Sequence, residues 1–380
     1  MTDYIHELPG WPRFTWKRDR LAEPLAGIRY QQGKLIGHME ALGFELRQEA
    51  LLTTITEDVV QSSAIEGDRL DLHQVRSSVA RRLGLDIAGL TPSDRNVDGI
   101  VEMMLDATGN YDEPLTDDRL FGWHAALFPN SRSGLTRILT GAWREDRSGP
   151  MQVVSGAIGR ERVHYQAPAA RRVPKDMTAF LRWFEKPPAA DPVLCAAEAH
   201  LWFVTIHPFE DGNGRIARAI ADMALARSEN SPQRFYSMSA QIRRERGEYY
   251  SALQNAQRGN LDITAWMEWF LACLGRAIAS AHGNLQSVLG KARFWEMAAA
   301  HSLNPRQRQV LNRVLDGFDG RLTSSKWAVL ARCSADTALR DITELLGWGL
   351  LERGSERGRS TGYVLPDLAR PIPARAYAAR

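Results

Sequence analysis

No uninterrupted apolar run in this sequence reaches the ~18 residues that a transmembrane helix requires, so no membrane span is expected. The first residues, MTDYIHELPGWPRFTW, lack a basic segment followed by an apolar one, and no export signal is expected either. Cysteine is scarce. Cys195, Cys273 and Cys333 are too few and too scattered for a disulfide framework or a cysteine-based metal cluster. Internal repeats and low-complexity tracts are missing, and no strong charge imbalance exists: 48 Lys+Arg face 45 Asp+Glu, a formal +3. A cytoplasmic protein without a membrane partner is the expectation. The 44% apolar and 24% charged residues are an ordinary globular balance, and 380 residues suffice for two or three domains, each with its own core.

The small positive surplus is unevenly placed. Residues 301–380 carry 13 Lys+Arg against 8 Asp+Glu, and the rest of the chain is slightly acidic. A basic bias confined to one terminal module points towards nucleic acid.

Apolar periodicity predicts a mainly α fold. Between Asp19 and Val60, Leu35, Met39, Leu42 and Leu46 and then Leu51, Leu52, Ile55 and Val59 recur three and four apart. The polar stretch Thr91-Pro92-Ser93 marks a boundary before a helical run with Val97, Ile100, Val101, Met104 and Leu105 on one face. Gly149–Pro168 differs: Val153-Val154 and Val163-His164-Tyr165 flank Ser155, Gly156 and Gly159, which predicts a short β-hairpin. Helices are expected over Val173–Phe184 and Asp191–Ile206, the latter capped by Asp191 and Pro192 with Val193, Ala197, Leu201 and Val204 as its apolar face. Others follow from Asn213, over Tyr249–Ala256 and over Thr264–Leu289. The expected division is 1–90, 91–290 and 291–380.

The chemistry is concentrated in His207-Pro208-Phe209-Glu210-Asp211-Gly212-Asn213-Gly214-Arg215-Ile216-Ala217-Arg218. A helix stops at a proline, a glycine-rich turn comes next and a new helix begins. Such a turn presents unpaired N–H groups at a helix N-terminus, where the dipole favours anions. Gly212 and Gly214 allow a phosphate to approach the backbone. Arg215 and Arg218 lie three apart on one side of the helix, with guanidinium forks that match phosphate oxygens. Asp211 is a hard ligand suited to Mg²⁺ on those phosphates, and His207 is a candidate general base. Taken singly these are turn formers, a loop histidine and solvated arginines; together within twelve residues they read as a triphosphate site. Gly212-Asn213-Gly214-Arg215-Ile216-Ala217 also fits a dinucleotide fingerprint. However, Arg234–Gly247 is polar and basic, with no second strand of the βαβ unit that fingerprint needs, and the Rossmann reading is rejected.

The stretch resembles the signature of the Fic family, H-x-F-x-D/E-G-N-G-R-x-x-R, with every fixed position filled. The resemblance implies a helical core that transfers AMP from ATP to a Ser, Thr or Tyr hydroxyl of a target protein and releases diphosphate. His207 would be the base, Asp211 the Mg²⁺ ligand, and Gly212, Asn213 and Gly214 the anion hole, with Arg215 and Arg218 on the outer phosphates and Phe209 anchoring the loop. The hairpin falls where the family has its target-aligning flap, so that Val163 and His164 would border the nucleotide; Tyr249 and Tyr250 resemble the family's residues near adenine. Some family members use other nucleotides or reverse the reaction, and some dimerise.

Ser62-Ser63-Ala64-Ile65-Glu66-Gly67 resembles the family's inhibitory motif. Ser62 and Glu66 are four apart, on one helical face. By resemblance Glu66 would pair with Arg218 and deny the γ-phosphate its seat, which defines the subclass inhibited from its N-terminal side. Alone, Glu66-Gly67 reads only as a helix end. The segment Trp11–Ala80 also resembles the helical domain that precedes the core in such proteins.

Residues 304–366 look like a winged helix-turn-helix: helices from Pro305, over Trp327–Ala331 and over Ala335–Leu346 after the cap Ser334, then a Gly/Arg-rich wing. On this reading Thr337 and Arg340 would face duplex DNA, and Arg353, Arg357 and Arg359 would contact phosphate or the minor groove. Asp336, Asp341 and Glu344 on the same helix oppose it, and winged helices also dock proteins. The expected ligands are thus ATP and Mg²⁺. The expected partners are a target protein, the chain itself by self-modification, duplex DNA and a second copy. The competing function is a DNA-binding regulator that uses the core as a nucleotide sensor.

Overall fold

The computed structural model of the protein describes residues 4–85, 90–146, 149–155, 162–187, 190–315, 322–354 and 362–366. Two compact units divide the chain, residues 1–282 and 283–380.

The first unit opens with α1 (Arg18–Glu40), α2 (Phe44–Glu66), α3 (Leu72–Arg82), α4 (Arg95–Gly109) and α5 (Asp117–Leu127). Side-chain caps start several of them: Asp71 accepts from Gln74, Asp94 from Val97 and Thr116 from Arg119. Two small antiparallel hairpins come next, β1 (Arg132–Ser133) with β2 (Thr136–Arg137) and β3 (Gln152–Ser155) with β4 (Arg162–Gln166). The second matches the predicted hairpin; its turn residues Gly156 and Gly159 lie outside the described residues. Then come α6 (Val173–Glu185), α7 (Pro192–Ile206), α8 (Asn213–Glu229), α9 (Met238–Arg244), α10 (Arg246–Gln257) and α11 (Thr264–Ala298). Residues of α11 up to His282 belong to the first unit and the others to the second.

The centre of this unit is the antiparallel pair α7–α8, and α8 also touches α2, α4, α5 and α9. α7 departs from its predicted single apolar face. Every residue from Val193 to Ile206 is buried, including Glu198 and His200, because neighbours cover the helix all round. α11 runs nine residues past its predicted end at Leu289: Gly290 lies within the helix rather than ending it, and no proline intervenes before Ala298.

One polar cluster seats α2 against the core. Asp58 accepts hydrogen bonds from the Ser237 hydroxyl and from the Ser239 N–H at 3.2 Å, while Arg234 and Asp222 form a buried ion pair. Burial pushes the Asp222 carboxyl up to about 7 despite Arg234.

The second unit holds α12 (Pro305–Leu315), α13 (Ser324–Ala331), α14 (Ala335–Gly347) and the antiparallel pair β5 (Glu352–Arg353) and β6 (Tyr363–Val364). Its core gathers Phe294, Val310, Leu311, Trp327, Ile342, Leu345 and Leu350. The predicted cap holds: Ser334 accepts from the Thr337 N–H, and the Thr337 hydroxyl bonds back to Ser334. Asp341, counted with Asp336 and Glu344 as opposing DNA, is buried and paired with Arg306 at 3.2 Å and Asn304 at 3.0 Å. Arg340 is exposed beside Asp336, Leu339, Thr343 and Glu344. Arg357 and Arg359 lie outside the described residues.

Candidate active site

α7 ends at His207 because Pro208 comes next and cannot continue the helix. His207 takes the left-handed conformation (φ 53°, ψ 57°), its N–H capping on the Phe203 carbonyl at 3.0 Å. Its Nδ1 lies 3.2 Å from the Val204 carbonyl, which assigns the ring proton to Nδ1 and leaves Nε2 as the acceptor. Burial holds the imidazole down at about 4, with Arg144 acting in the same sense, so it is neutral at physiological pH.

The loop after it is closed by two interactions. Phe209 is fully buried and stacks on His124 with ring centres 4.2 Å apart. The Asn213 side chain then clips the Phe209 peptide from both sides, its Oδ1 accepting from the Phe209 N–H at 2.9 Å and its Nδ2 donating to the Phe209 carbonyl at 2.8 Å. In the resemblance Asn213 was an anion-hole residue. Here its side chain holds the loop, which leaves only its backbone N–H for an anion. Gly212 is obligatory: it has φ +81°, and a Cβ there would meet the Phe128 ring at 2.9 Å.

Asp211 accepts from the Ser133 hydroxyl on β1 and, through Oδ1, from the Gly212 N–H at 2.5 Å. At the head of α8 the first N–H groups lack intrahelical partners. Arg215 lies with its guanidinium 5.1 Å from the centre of the Phe128 ring, and its Nε is buried without a partner.

Glu66 and Ser62, both predicted from α2, reach this spot. The Glu66 carboxylate lies 2.9 Å from an Arg218 terminal nitrogen, an ion pair without hydrogen-bond alignment. The same carboxylate occupies the space that a Cβ on Gly214 would need, so it sits directly over the first turn of α8. Ser62 binds the rest of Arg218: Nε donates to its hydroxyl at 3.0 Å and another guanidinium nitrogen to its carbonyl at 2.8 Å. Burial opposes the Arg218 charge, but Glu66, Tyr249 and Tyr250 together outweigh it and the pKa is raised. Gly67 ends α2 at φ +99° and turns the chain so that Asp68 pairs with Arg215 at 3.2 Å.

The predicted flanking residues Tyr249 and Tyr250 stand with ring centres 5.2 Å apart but make different hydrogen bonds. The Tyr249 hydroxyl meets His200 Nε2 at 2.9 Å inside the core, whereas Tyr250 is more than one-third exposed and donates to the Ile65 carbonyl beside Glu66. The Val163 and His164 carbonyls accept from Arg258, which fastens β4 to the end of α10. Sequence reading missed Asp68, Ser133 and Phe128. Asp68 carried one available signal, a carboxylate one residue past a capping glycine.

Residues 4–85 match a domain of unknown function, and residues 114–225 match the Fic/DOC family. A protein adenylyltransferase Fic of Nematostella vectensis is 34% identical over 139 residues, which cover 35% of this chain and 30% of that protein. One of Culex quinquefasciatus is 27% identical over 230 residues, 58% of this chain and 40% of that one. The chain thus spans less than half the length of these relatives. A Fic family protein from Desulfovibrio desulfuricans G20 has a similar fold, with TM-score 0.52, 23% identity, and 94% and 98% of the two chains covered. A Fic domain containing signaling protein from Bacteroides thetaiotaomicron gives TM-score 0.51 at 20% identity, covering 68% of this chain and 97% of that one. Residues 114–225, which match the Fic/DOC family, carry the whole of the His207–Arg218 loop, and the fold is similar to that of solved Fic structures.

Proposed function

We propose that the protein is an autoinhibited protein adenylyltransferase. The observation that carries this reading is the Glu66 carboxylate lying over the head of α8 against Arg218, where a nucleotide phosphate would seat. ATP would lay its phosphates along the N-terminus of α8, with Arg215 and Arg218 on the outer groups. Asp211, one carboxylate beside a phosphate cradle, suits Mg²⁺, which takes one or two carboxylates plus phosphate oxygens and water. Bound there, Mg²⁺ would neutralise phosphate charge. His207 Nε2 takes the proton of the target Ser, Thr or Tyr hydroxyl as its oxygen attacks the α-phosphorus. The new O–P bond forms, the bond from that phosphorus to the β-bridging oxygen breaks, and diphosphate leaves with the electron pair.

Inhibition is electrostatic and steric. With Glu66 in place a γ-phosphate meets a carboxylate rather than a free guanidinium, so ATP loses its outer anchor and gains a repulsion. The test is labelling with labelled ATP and Mg²⁺ by wild type, Glu66→Gly and Glu66→Gly/His207→Ala, read on the chain itself and on lysate proteins. Strong labelling by Glu66→Gly alone is expected. Equal labelling by the double variant overturns the assignment of His207.

Transfer to the chain itself, action on other nucleotides and the reverse, de-AMPylating reaction belong to the same site and are read by the same assay with product analysis. For the second unit, duplex DNA contact through Arg340 and Thr337 is our proposed role, and it predicts binding that weakens steeply with salt.

A further inference from the structure

Arg144 stands in the segment between β2 and β3 and belongs to neither the signature nor the inhibitory motif. Its side chain is wholly buried, and the guanidinium donates in three directions: from Nε to the His207 carbonyl at 2.7 Å, from one terminal nitrogen to the Pro168 carbonyl, and from the other to the Asp146 carboxylate at 2.9 Å. Its backbone N–H donates to the Pro208 carbonyl at 2.9 Å. Asp146 in turn accepts from the Ala170 N–H at 2.6 Å. Pro168 closes the base of the β3–β4 hairpin, where the Ala167 N–H meets the Met151 carbonyl at 2.9 Å.

These contacts join two things that the chemistry needs in register. His207 holds a left-handed conformation that strains a non-glycine residue and persists only where its surroundings impose it. The helix cap fixes its N–H, the Val204 carbonyl holds its ring and the Pro208 ring fixes the backbone of the next residue, while its carbonyl is held by Arg144. The same guanidinium fixes the end of the strand β4. A lysine offers one compact ammonium and lacks the planar fork that reaches three acceptors at once.

We propose that Arg144 is a positioning residue that locks the peptide of His207 to the base of the β3–β4 hairpin, so that the base and the hairpin beside it stay in a single geometry. This rests on the adenylyltransferase reading for its catalytic consequence, though not for the clamp itself.

The test uses the full chain in the Glu66→Gly background with Arg144→Gln and Arg144→Lys. Hydrogen–deuterium exchange reads the clamp without any catalysis. Arg144→Gln is expected to speed exchange about tenfold or more over residues 203–212 and 164–170, with the rest of residues 4–282 unchanged. Affinity for a fluorescent ATP analogue, which seats on α8, should stay within about threefold, while labelling falls about a hundredfold, the scale of an ångström-sized misplacement. Arg144→Lys should recover part of the labelling. Unchanged exchange in both segments overturns the proposal, as does loss of ATP affinity in step with labelling, which a merely structural arginine would produce. If Arg144→Gln does not fold, Asp146→Asn removes one of the same anchors and is read in the same way. A Glu66→Gly parent that labels nothing counts against the adenylyltransferase reading, and the exchange arm still decides the clamp.

Discussion

At the scale of single residues, the two arginines proposed to hold phosphate are already met by carboxylates of their own chain. Arg218 is enclosed by Ser62 and Glu66, and Arg215 is met by Asp68, whose side chain is 58% exposed. An ion pair that open to water is worth at most about 1 kcal/mol, so Asp68→Asn is expected to tighten ATP binding by no more than about fivefold. Glu66→Gly should do far more, and titration of a fluorescent ATP analogue into both variants checks the order. Glu198, inside α7, gives a second expectation. Burial raises its carboxyl from 4.5 to about 8, so the folded chain keeps it protonated where the unfolded chain ionises it. Its contribution is present below pH 4.5 and is lost as pH rises towards 8. Glu198→Gln should therefore gain stability relative to wild type between pH 5 and pH 8, by roughly 3–4 kcal/mol, in urea unfolding at the two values. A constant difference would contradict the buried, protonated acid.

At the scale of elements, the proposed inhibition by Glu66 depends on how α2 ends. Gly67 adopts φ +99° with open space where a Cβ would go, so Gly67→Ala meets backbone strain alone, about 1 kcal/mol. That strain falls on the turn that delivers Glu66 and Asp68, and a modest rise in wild-type labelling is expected, far short of Glu66→Gly. Helix ends of this kind were legible in the sequence. Asp191 before Pro192, Ser334 before Ala335 and Glu66 before Gly67 announce their caps through residues that bond to their own neighbours. The four-residue spacing of Ser62 and Glu66 was legible for the same reason. The burial of α7 on every side was not, since an apolar stripe looks the same whether its other face meets water or further helices. Nor was the inward turn of Asp341, which depends on Arg306 and Asn304 arriving from α12 and its cap.

At the scale of the whole molecule, residues 1–282 hold every residue assigned to the site, and residues 283–380 have their own core. A chain ending at His282 is thus expected to bind ATP, in the Glu66→Gly background, with the affinity of the full chain; a loss beyond threefold would tie the second unit to the site. Among the described residues no helix is long and apolar enough to cross a membrane.

What the sequence determined by itself is what short range can encode: helix periods, caps, the hairpin, and the whole of the His207–Arg218 loop, whose members are close neighbours along the chain. The tertiary structure alone decided the rest. Which carboxylate faces Arg215, what clasps the His207 peptide, and where α2 is anchored through Asp58 and Ser237 all join residues more than sixty positions apart. Such contacts arise only when burial of the α7–α8 pair brings distant segments together, and no local spacing records that event.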